Sequence, residues 1–195
     1  VRRLCKVPQI CPHFHLSLQS GCDETLKRMN RHYTTALYLE KCGILRQYFD
    51  RPALTTDVIV GFPGETEEEF AQTERFLETV HFSDMHIFKY SKRRGTKAAD
   101  MPNQIDPQIQ SVRSEKLIAL GERMKDDFLE ACKDQEQIVL IEEETEIGGT
   151  KYMTGHSKNY IRCAFEMDGL VPNMVIKGTI NSKLNEEFVF CKRID

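Results

Sequence analysis

One segment near the start of the chain alternates polar and apolar side chains, which favours a strand with a chemically useful face. Residues 13–20 read HFHLSLQS, and strict alternation over this length indicates a strand. Its polar face carries His13, His15, Ser17 and Gln19, and Ser20 and Gly21 follow at its end. A polar face on a central strand is costly to bury unless it lines a cavity or meets a ligand. These side chains therefore either bind a ligand or hydrogen-bond one another and water beneath a loop.

A second candidate site is the turn after the apolar, β-branched run Leu54–Val60. The sequence from Asp57 to Glu65 reads DVIVGFPGE, with Gly61 at the end of the predicted strand. Glycines at a strand-to-helix turn let a ligand approach the backbone, and the N-terminus of the next helix favours anions. The segment matches neither G-x-G-x-x-G nor the P-loop pattern. Without a ligand, the same sequence describes a tight turn between a strand and a helix.

The third candidate is a basic segment, 89–97, with sequence KYSKRRGTK. Its basic and aromatic residues are Lys89, Tyr90, Lys92, Arg93, Arg94 and Lys97. Basic clusters that include an aromatic ring suit contacts with phosphates and bases. The alternative is a solvated basic loop. Arg31 is a further candidate partner for a carboxylate or phosphate, with an ordinary surface role as its alternative.

The elements that must position these residues alternate between strands and helices. After the first strand we expect a helix capped by Asp23 and ending near His32, and a second from Thr34 or Thr35 to about Phe49. The strand over 54–60 is followed by a helix that Thr66 caps before three glutamates. A third strand is expected around 85–90, a loop over 91–106 and a helix over 107–134. This order predicts an α/β fold with parallel strands, and three strands are too few to close an eight-stranded barrel.

The last part of the chain, 136–195, changes character. Five short strand-like runs are separated by Gly-Gly at 148–149, Gly155, Asp168-Gly169 and Pro172-Asn173. Short strands with regular turns predict a small antiparallel β-barrel. We therefore expect two domains, 1–134 and 135–195. The helix over 107–134, with Ile109, Val112, Leu117, Leu120, Met124 and Phe128 on or near one face, links them.

Composition restricts the class of protein. The net charge is −3, so the chain lacks the strongly basic character that alone would indicate nucleic-acid binding. No apolar run approaches the roughly 18 residues of a membrane span, and we expect no membrane partner. The seven cysteines have wide, irregular spacings without a C-x₂₋₄-C pair, which favours free thiols in a reducing cytoplasm. They are Cys5, Cys11, Cys22, Cys42, Cys132, Cys163 and Cys191. The start at Val1 suggests a truncation.

Three blocks of sequence, in order, resemble one enzyme family. HFHLSLQSGCDETLKRMNRHYT, TTDVIVGFPGETEEEF and HIFKYSKRRGTKAADM resemble the methylthiotransferases among the radical S-adenosylmethionine (SAM) enzymes. The residues in these three blocks are most similar to the branch of the family that acts on threonylcarbamoyladenosine in tRNA. The tail, with VLIEE and GHSKNYIRC, resembles a TRAM domain, a small RNA-binding β-barrel.

The resemblance implies a partial radical SAM barrel followed by a TRAM barrel. It also implies SAM and [4Fe–4S] clusters as cofactors, with methylthiolation of carbon 2 of the adenine next to the anticodon. The family's C-x-x-x-C-x-x-C triad is absent here, so we assign no cysteine of this chain to a cluster and expect no metal ligand in it. This piece alone should then be inactive. The implied partner is tRNA, in the cytoplasm.

The resemblance also implies roles for individual residues. The implied SAM pocket contains His15, Ser17, Gln19, Ser20, Gly21, Asp57, Ile59 and Gly61, with Arg31 paired to the SAM carboxylate. The implied RNA contacts are Lys89, Tyr90, Lys92, Arg93, Arg94, Lys97, His156, Lys158 and Tyr160. Two other functions remain open. One is the related methylthiotransferase that modifies an aspartate of a ribosomal protein. The other is a non-catalytic RNA-binding module, which an upstream cysteine triad would exclude.

Overall fold

The computed structural model describes residues 1–194, which form two compact units. The first contains Val1–Val7 and Phe14–Phe128. The second contains Pro8–His13 and the chain from Leu129 onward. The last turn of the linking helix therefore belongs to the second unit, a few residues before the boundary that we expected from the sequence.

The first unit consists of a parallel sheet and four helices. Its elements are β1 His13–His15, α1 Asp23–Arg28, α2 Thr35–Tyr48, β2 Ala53–Val60, α3 Glu67–Val80, β3 Asp84–Lys89 and α4 Pro107–Cys132. The first residue of β1 and the last turn of α4 are grouped with the second unit. Short 3₁₀ turns lie at Leu4–Lys6 and Lys97–Asp100. The sheet order is β1-β2-β3, and β2 pairs in parallel with β3 from Thr55–Asp84 to Val60–Lys89. This confirms the predicted α/β class with a partial, three-stranded sheet.

The first strand is shorter than its alternation predicted. Regular pairing stops at His15, and the chain rejoins β2 through a single bridge between Gln19 and Val58. Between these points the hydroxyl of Thr56 takes the place of backbone partners. It donates to the carbonyl of Leu16 at 2.7 Å and accepts from the N–H of Leu18 at 2.9 Å. The carbonyl of Leu16 and the N–H of Leu18 are therefore satisfied by a side chain, while the N–H of Leu16 still donates to the carbonyl of Thr55 at 2.9 Å.

Helix ends follow their capping residues, with one exception. Thr34 caps α2, and Thr66 forms a reciprocal capping box with Glu69 at the start of α3, as predicted. The prediction for α1 was wrong at both ends, since its N-cap is Cys22 and it stops at Arg28. The Asp23 carboxylate instead accepts from the N–H of Thr35 at 2.7 Å, which ties α1 to the start of α2.

The hydrophobic core lies on one face of the sheet, under the helices. Val58 and Val60 of β2 are fully buried there, together with Phe70 of α3 and Leu117 of α4. The predicted apolar face of α4 was partly wrong. Its first turns expose Ile109 and Val112 and bury Arg113 and Ser114, whereas the apolar face runs inward from Leu117 on, through Leu120 and Met124.

The second unit is a closed five-stranded barrel. Its strands are β4 Glu136–Ile147, β5 Thr150–Ser157, β6 Arg162–Phe165, β7 Val175–Lys183 and β8 Val189–Ile194. They close in the order β4-β5-β6-β8-β7. Four of the neighbouring pairs are antiparallel, and the short β6–β8 pair is parallel. The five predicted strands are confirmed, with that one pair as an exception to the antiparallel arrangement. Within residues 1–194, no helix is long and apolar enough to cross a membrane.

The barrel depends on a glycine at its tightest strand contact, which gives a testable prediction. Gly155 of β5 lies opposite Ile141 of β4, and a Cβ there would overlap the carbonyl oxygen of Leu140. We expect Gly155→Ala to lower the free energy of unfolding by about 3 kcal/mol or more, because backbone cannot yield as a side chain does. Gly43→Ala, in α2 with no atom within 4 Å of the added methyl, should raise it by about 0.5–1 kcal/mol. Urea denaturation followed by circular dichroism measures both. An unchanged Gly155→Ala midpoint would contradict the strand contact.

Candidate functional site

The sheet face without helices carries a connected group of polar side chains, the β1–β2 cluster, formed by His15, Ser17, Thr55 and Asp57. The Asp57 carboxylate accepts from the Ser17 hydroxyl at 3.1 Å and lies 3.2 Å from His15 Nε2. His15 Nε2 is also 3.1 Å from the Ser17 hydroxyl, and Nδ1 is 3.1 Å from the Thr55 hydroxyl. Every member has a partner within the cluster. The side chains of His15 and Asp57 are still 38% and 27% exposed, so a ligand can reach them.

The pleat of β2 explains why these residues share a face. Successive side chains point to opposite sides of a strand. Thr56, Val58 and Val60 therefore face the helices, while Asp57 and Ile59 are half-buried on the other side. The alternation that we read from the sequence thus brings His15 and Ser17 together with Asp57. Whether these residues hold a cofactor remains a prediction.

The third strand adds two side chains to this face that sequence reasoning missed. His86 is the register partner of Asp57, and Phe88 is the partner of Ile59. The His86 ring centroid lies 6.3 Å from that of His15, and Phe88 is 51% exposed. The alternation of β3 contains the signal that would have found them. The face therefore combines a polar centre with an apolar border.

Three other predicted residues, Gln19, Ser20 and Gly21, are consecutive in the chain. The Gln19 backbone has φ +70° and pairs with β2 on both sides, accepting from the N–H of Ile59 at 2.9 Å. Ser20 is buried, with its hydroxyl 3.2 Å from the Thr73 hydroxyl of α3, and the N–H of Gly21 donates to the same oxygen at 3.2 Å. The structure thus turns Ser20 and Gly21 toward α3, which favours a packing role for both.

Arg31 is exposed beyond the end of α1. Burial raises the pKa of the neighbouring Tyr33, and the positive charge of Arg31 opposes that rise. The Tyr33 hydroxyl donates to the carbonyl of Leu18 at 2.8 Å and contacts that of Ser17 at 3.1 Å. Arg31 is therefore close to Tyr33, which hydrogen-bonds the backbone that carries Ser17 of the β1–β2 cluster.

The glycine turn, residues 61–65, is held by buried charge. Gly61 has φ +72°, which favours glycine, and its N–H donates to Glu65 Oε1 at 3.1 Å. Glu65 pairs with Arg113 of α4 at 2.7 Å, and their side chains are only 3% and 6% exposed. Burial raises the pKa of Glu65, while the Gly61 N–H and Arg113 oppose that rise. Sequence reasoning missed Arg113, because nothing local links it to the turn.

The described residues offer no cluster-binding set. Among residues 1–194, no three His, Cys, Asp or Glu side chains converge on a position that would hold a metal ion. Five of the seven cysteines are buried. The hydrogen bond with Cys191, followed by burial, raises the pKa of the Cys163 thiol, so a thiolate ligand is disfavoured there.

The β1–β2 cluster has the chemistry to fit the adenosyl part of SAM. Its hydroxyl and carboxylate suit ribose hydroxyls, and the neighbouring Ile59 and Phe88 suit an adenine ring.

The basic segment keeps most of its charges on the surface. Lys92, Arg93, Arg94 and Lys97 are exposed, and the Lys89 ammonium lies 3.4 Å from the Ser111 hydroxyl of α4. Tyr90 behaves differently. Its ring packs edge-on against Phe62 at 5.3 Å, and its buried hydroxyl has no hydrogen-bond partner among the described residues. Tyr90 thus packs against Phe62 in this structure, and its role as an RNA contact stays a prediction.

The remaining predicted RNA residues lie together on the second unit. Tyr160, which is 60% exposed and has φ +69°, stacks on His156 at 4.5 Å and on His13 at 4.6 Å. His156 is held by Glu142 at 2.8 Å. The Lys158 ammonium donates to the carbonyl of Pro8 at 2.9 Å. We call His13, His156 and Tyr160 the aromatic stack. His13 belonged to the polar face predicted at the sequence level, but its place beside Tyr160 was not expected.

Comparison with known proteins links the first part of the sequence to a superfamily. The sequence profile of the radical SAM superfamily matches residues 1–77, which include β1, α1, α2, β2 and most of α3. That range contains both the β1–β2 cluster and the glycine turn. The three-stranded parallel sheet β1-β2-β3 agrees with this match.

Individual relatives narrow the class further. The chain is 38% identical over 161 residues to the threonylcarbamoyladenosine tRNA methylthiotransferase MtaB of Bacillus subtilis, covering 81% of this chain and 35% of the relative. It is 46% identical over 121 residues to tRNA-2-methylthio-N(6)-dimethylallyladenosine synthase 1 of Mycobacterium marinum, covering 62% and 23%. The synthase of that name from Corynebacterium efficiens is 35% identical over 190 residues, covering 93% and 33%. The chain belongs to the radical SAM methylthiotransferase family, and it spans about a third or less of the length of these relatives.

Proposed function

We propose that this chain forms a SAM-binding barrel wall and an RNA-binding barrel within an enzyme that methylthiolates carbon 2 of threonylcarbamoyladenosine in tRNA. The observation that supports this substrate is the 38% identity with the Bacillus subtilis relative over 81% of the chain. Because the chain corresponds to 35% of that relative, the activity belongs to the longer protein.

The chain's own residues would hold the adenosyl part of SAM. When bound, SAM and an iron–sulfur cluster with ligands outside this chain supply the radical and group-transfer chemistry. The Ser17 hydroxyl and the Asp57 carboxylate would hydrogen-bond the ribose hydroxyls, and Ile59 would contact the adenine ring. His15 is fixed through both ring nitrogens and would keep the Asp57 carboxylate in place. The glycine turn would approach the same nucleoside through its backbone.

Two surfaces would hold the tRNA. Lys92, Arg93 and Arg94 are exposed cations suited to phosphates. The aromatic stack offers the exposed ring of Tyr160 as a surface on which a base could stack. The backbone of Tyr160 has a positive φ, and such unfavourable conformations cluster at functional positions. Since the net charge of the chain is −3, affinity would rest on such local contacts rather than on a general field.

A second substrate has its own support. The relative from Mycobacterium marinum is 46% identical over 121 residues, and its name specifies dimethylallyladenosine. The three relatives compared above are named for tRNA substrates, which favours RNA over a ribosomal-protein aspartate. The family membership of residues 1–77 favours a catalytic role over a non-catalytic RNA-binding module.

Nucleoside analysis of tRNA tests the proposed substrate. In a strain that lacks the gene, liquid chromatography with mass spectrometry should show loss of the methylthio group from threonylcarbamoyladenosine only. Methylthiolated dimethylallyladenosine from other tRNAs in the same preparation is the internal control, and its amount should be unchanged. Loss of that nucleoside instead would reassign the substrate to dimethylallyladenosine. Loss of neither would contradict a tRNA methylthiotransferase and would reopen the ribosomal-protein alternative.

Salt-dependent binding tests the RNA contacts. Changing Lys92, Arg93 and Arg94 together to Ala in the full-length protein should weaken tRNA binding. It should also reduce the slope of log affinity against log salt by roughly 2–3, because each lost phosphate contact contributes about one unit. The control changes Lys41, Arg51 and Arg75 to Ala, which removes the same charge from cations that already pair with neighbouring acids. An equal slope for the two triple variants would contradict RNA contacts by the basic segment, which would then be a solvated surface loop.

A further inference from the structure

The buried ion pair between Glu65 and Arg113 is poorly suited to a purely stabilising role. Both side chains are nearly inaccessible, and removing two charges from water costs about as much as their attraction returns. Arg113 Nε is buried without a hydrogen-bond partner in the described part of the chain. A hydrophobic pair at this place would fill the same space without these costs. The pair is therefore better explained by the groups that it holds in position than by a gain in stability.

The pair acts on one backbone unit, Gly61. Glu65 Oε1 accepts both from Arg113 at 2.7 Å and from the N–H of Gly61 at 3.1 Å. Arg113 also donates to the Glu65 carbonyl at 3.1 Å, which fixes the end of the turn. The guanidinium lies 5.2 Å from the ring centroid of Phe70, so its plane has a second support. A carboxylate held in this way keeps the Gly61 N–H in a single direction.

Helix α4 supplies a contact on the other side of the same residue. Gln110 precedes Arg113 by three positions, so both lie on one face of the helix. The Gln110 amide donates to the Gly61 carbonyl at 3.3 Å, and its side chain occupies the space that a Cβ at position 61 would need. The N–H and the carbonyl of Gly61 are thus each held by a chain of contacts that ends on α4.

We propose that Gln110 and Arg113 are positioning residues that set the backbone of the glycine turn for the adenosyl group of SAM, Gln110 directly and Arg113 through Glu65. The proposal rests on the proposed function, since it takes SAM as the ligand at this edge of the sheet. It assigns part of the cofactor site to α4, which lies outside the segment that matches the radical SAM profile. Neither residue needs to touch the ligand.

Amide hydrogen exchange of Gly61 in the 195-residue chain tests the positioning without any cofactor. Glu65→Gln keeps an acceptor oxygen but removes the negative charge that binds Arg113. Arg113→Lys keeps the positive charge but loses the fixed planar arrangement of guanidinium donors. Each should raise the exchange rate of the Gly61 amide on the order of tenfold relative to core amides such as that of Leu117. Glu67→Gln is the matched control, because Glu67 binds the same arginine at 3.2 Å with a side chain that is 74% exposed. It should leave Gly61 exchange unchanged.

The affinity of the cluster-loaded, full-length protein for SAM completes the test. Glu65→Gln and Arg113→Lys should raise the SAM dissociation constant by about tenfold, and Glu67→Gln should not. Unchanged Gly61 exchange in the first two variants would overturn the positioning of the turn. Faster exchange with unchanged SAM affinity would overturn its role for the cofactor. If the wild-type protein does not bind SAM while the exchange results hold, the proposed function fails and the positioning of Gly61 stands.

Discussion

The carboxylate of Asp57 is the contact on which the open face of the sheet depends. It accepts from Ser17 and lies within hydrogen-bond distance of His15, in a stretch where regular pairing between β1 and β2 has stopped. On the opposite face of the same stretch, the Thr56 hydroxyl bonds both Leu16 and Leu18. Side-chain bonds on both faces thus add to the few backbone bonds that join this stretch to β2. The polar face remains ordered although no helix covers it.

Under the proposed function, this arrangement would divide apolar burial and cofactor binding between the two faces of one sheet. The helix-covered face contains Val58 and Val60 and supplies the apolar burial. The other face contains polar groups that already satisfy one another, so binding a nucleoside would exchange hydrogen bonds rather than create them. The glycine turn at the strand end then adds backbone groups that Glu65 has aligned in advance. Such preorganisation lowers the entropic cost of holding a ligand.

Local signals in the sequence predicted most of this fold. Alternation identified the polar face at His15 and Ser17, and the Thr66 capping box identified the start of α3. Long-range partners were not predictable in the same way. Arg113 lies 48 positions from Glu65, and its place on the inward face of α4 depends on tertiary packing that overrides the apolar pattern of the helix. His86 joins the site only through the register of β2 and β3.

The SAM affinity of an Asp57→Asn variant tests the central claim most directly. Equilibrium dialysis with the cluster-loaded, full-length protein should show affinity at least tenfold weaker than in wild type, since a charged hydrogen-bond acceptor contributes about 1.5–3 kcal/mol. Asp50→Asn, at a surface side chain that is 88% exposed, should bind SAM as wild type does. Wild-type affinity in Asp57→Asn, with the fold intact by circular dichroism, would contradict the assignment of this face to the cofactor.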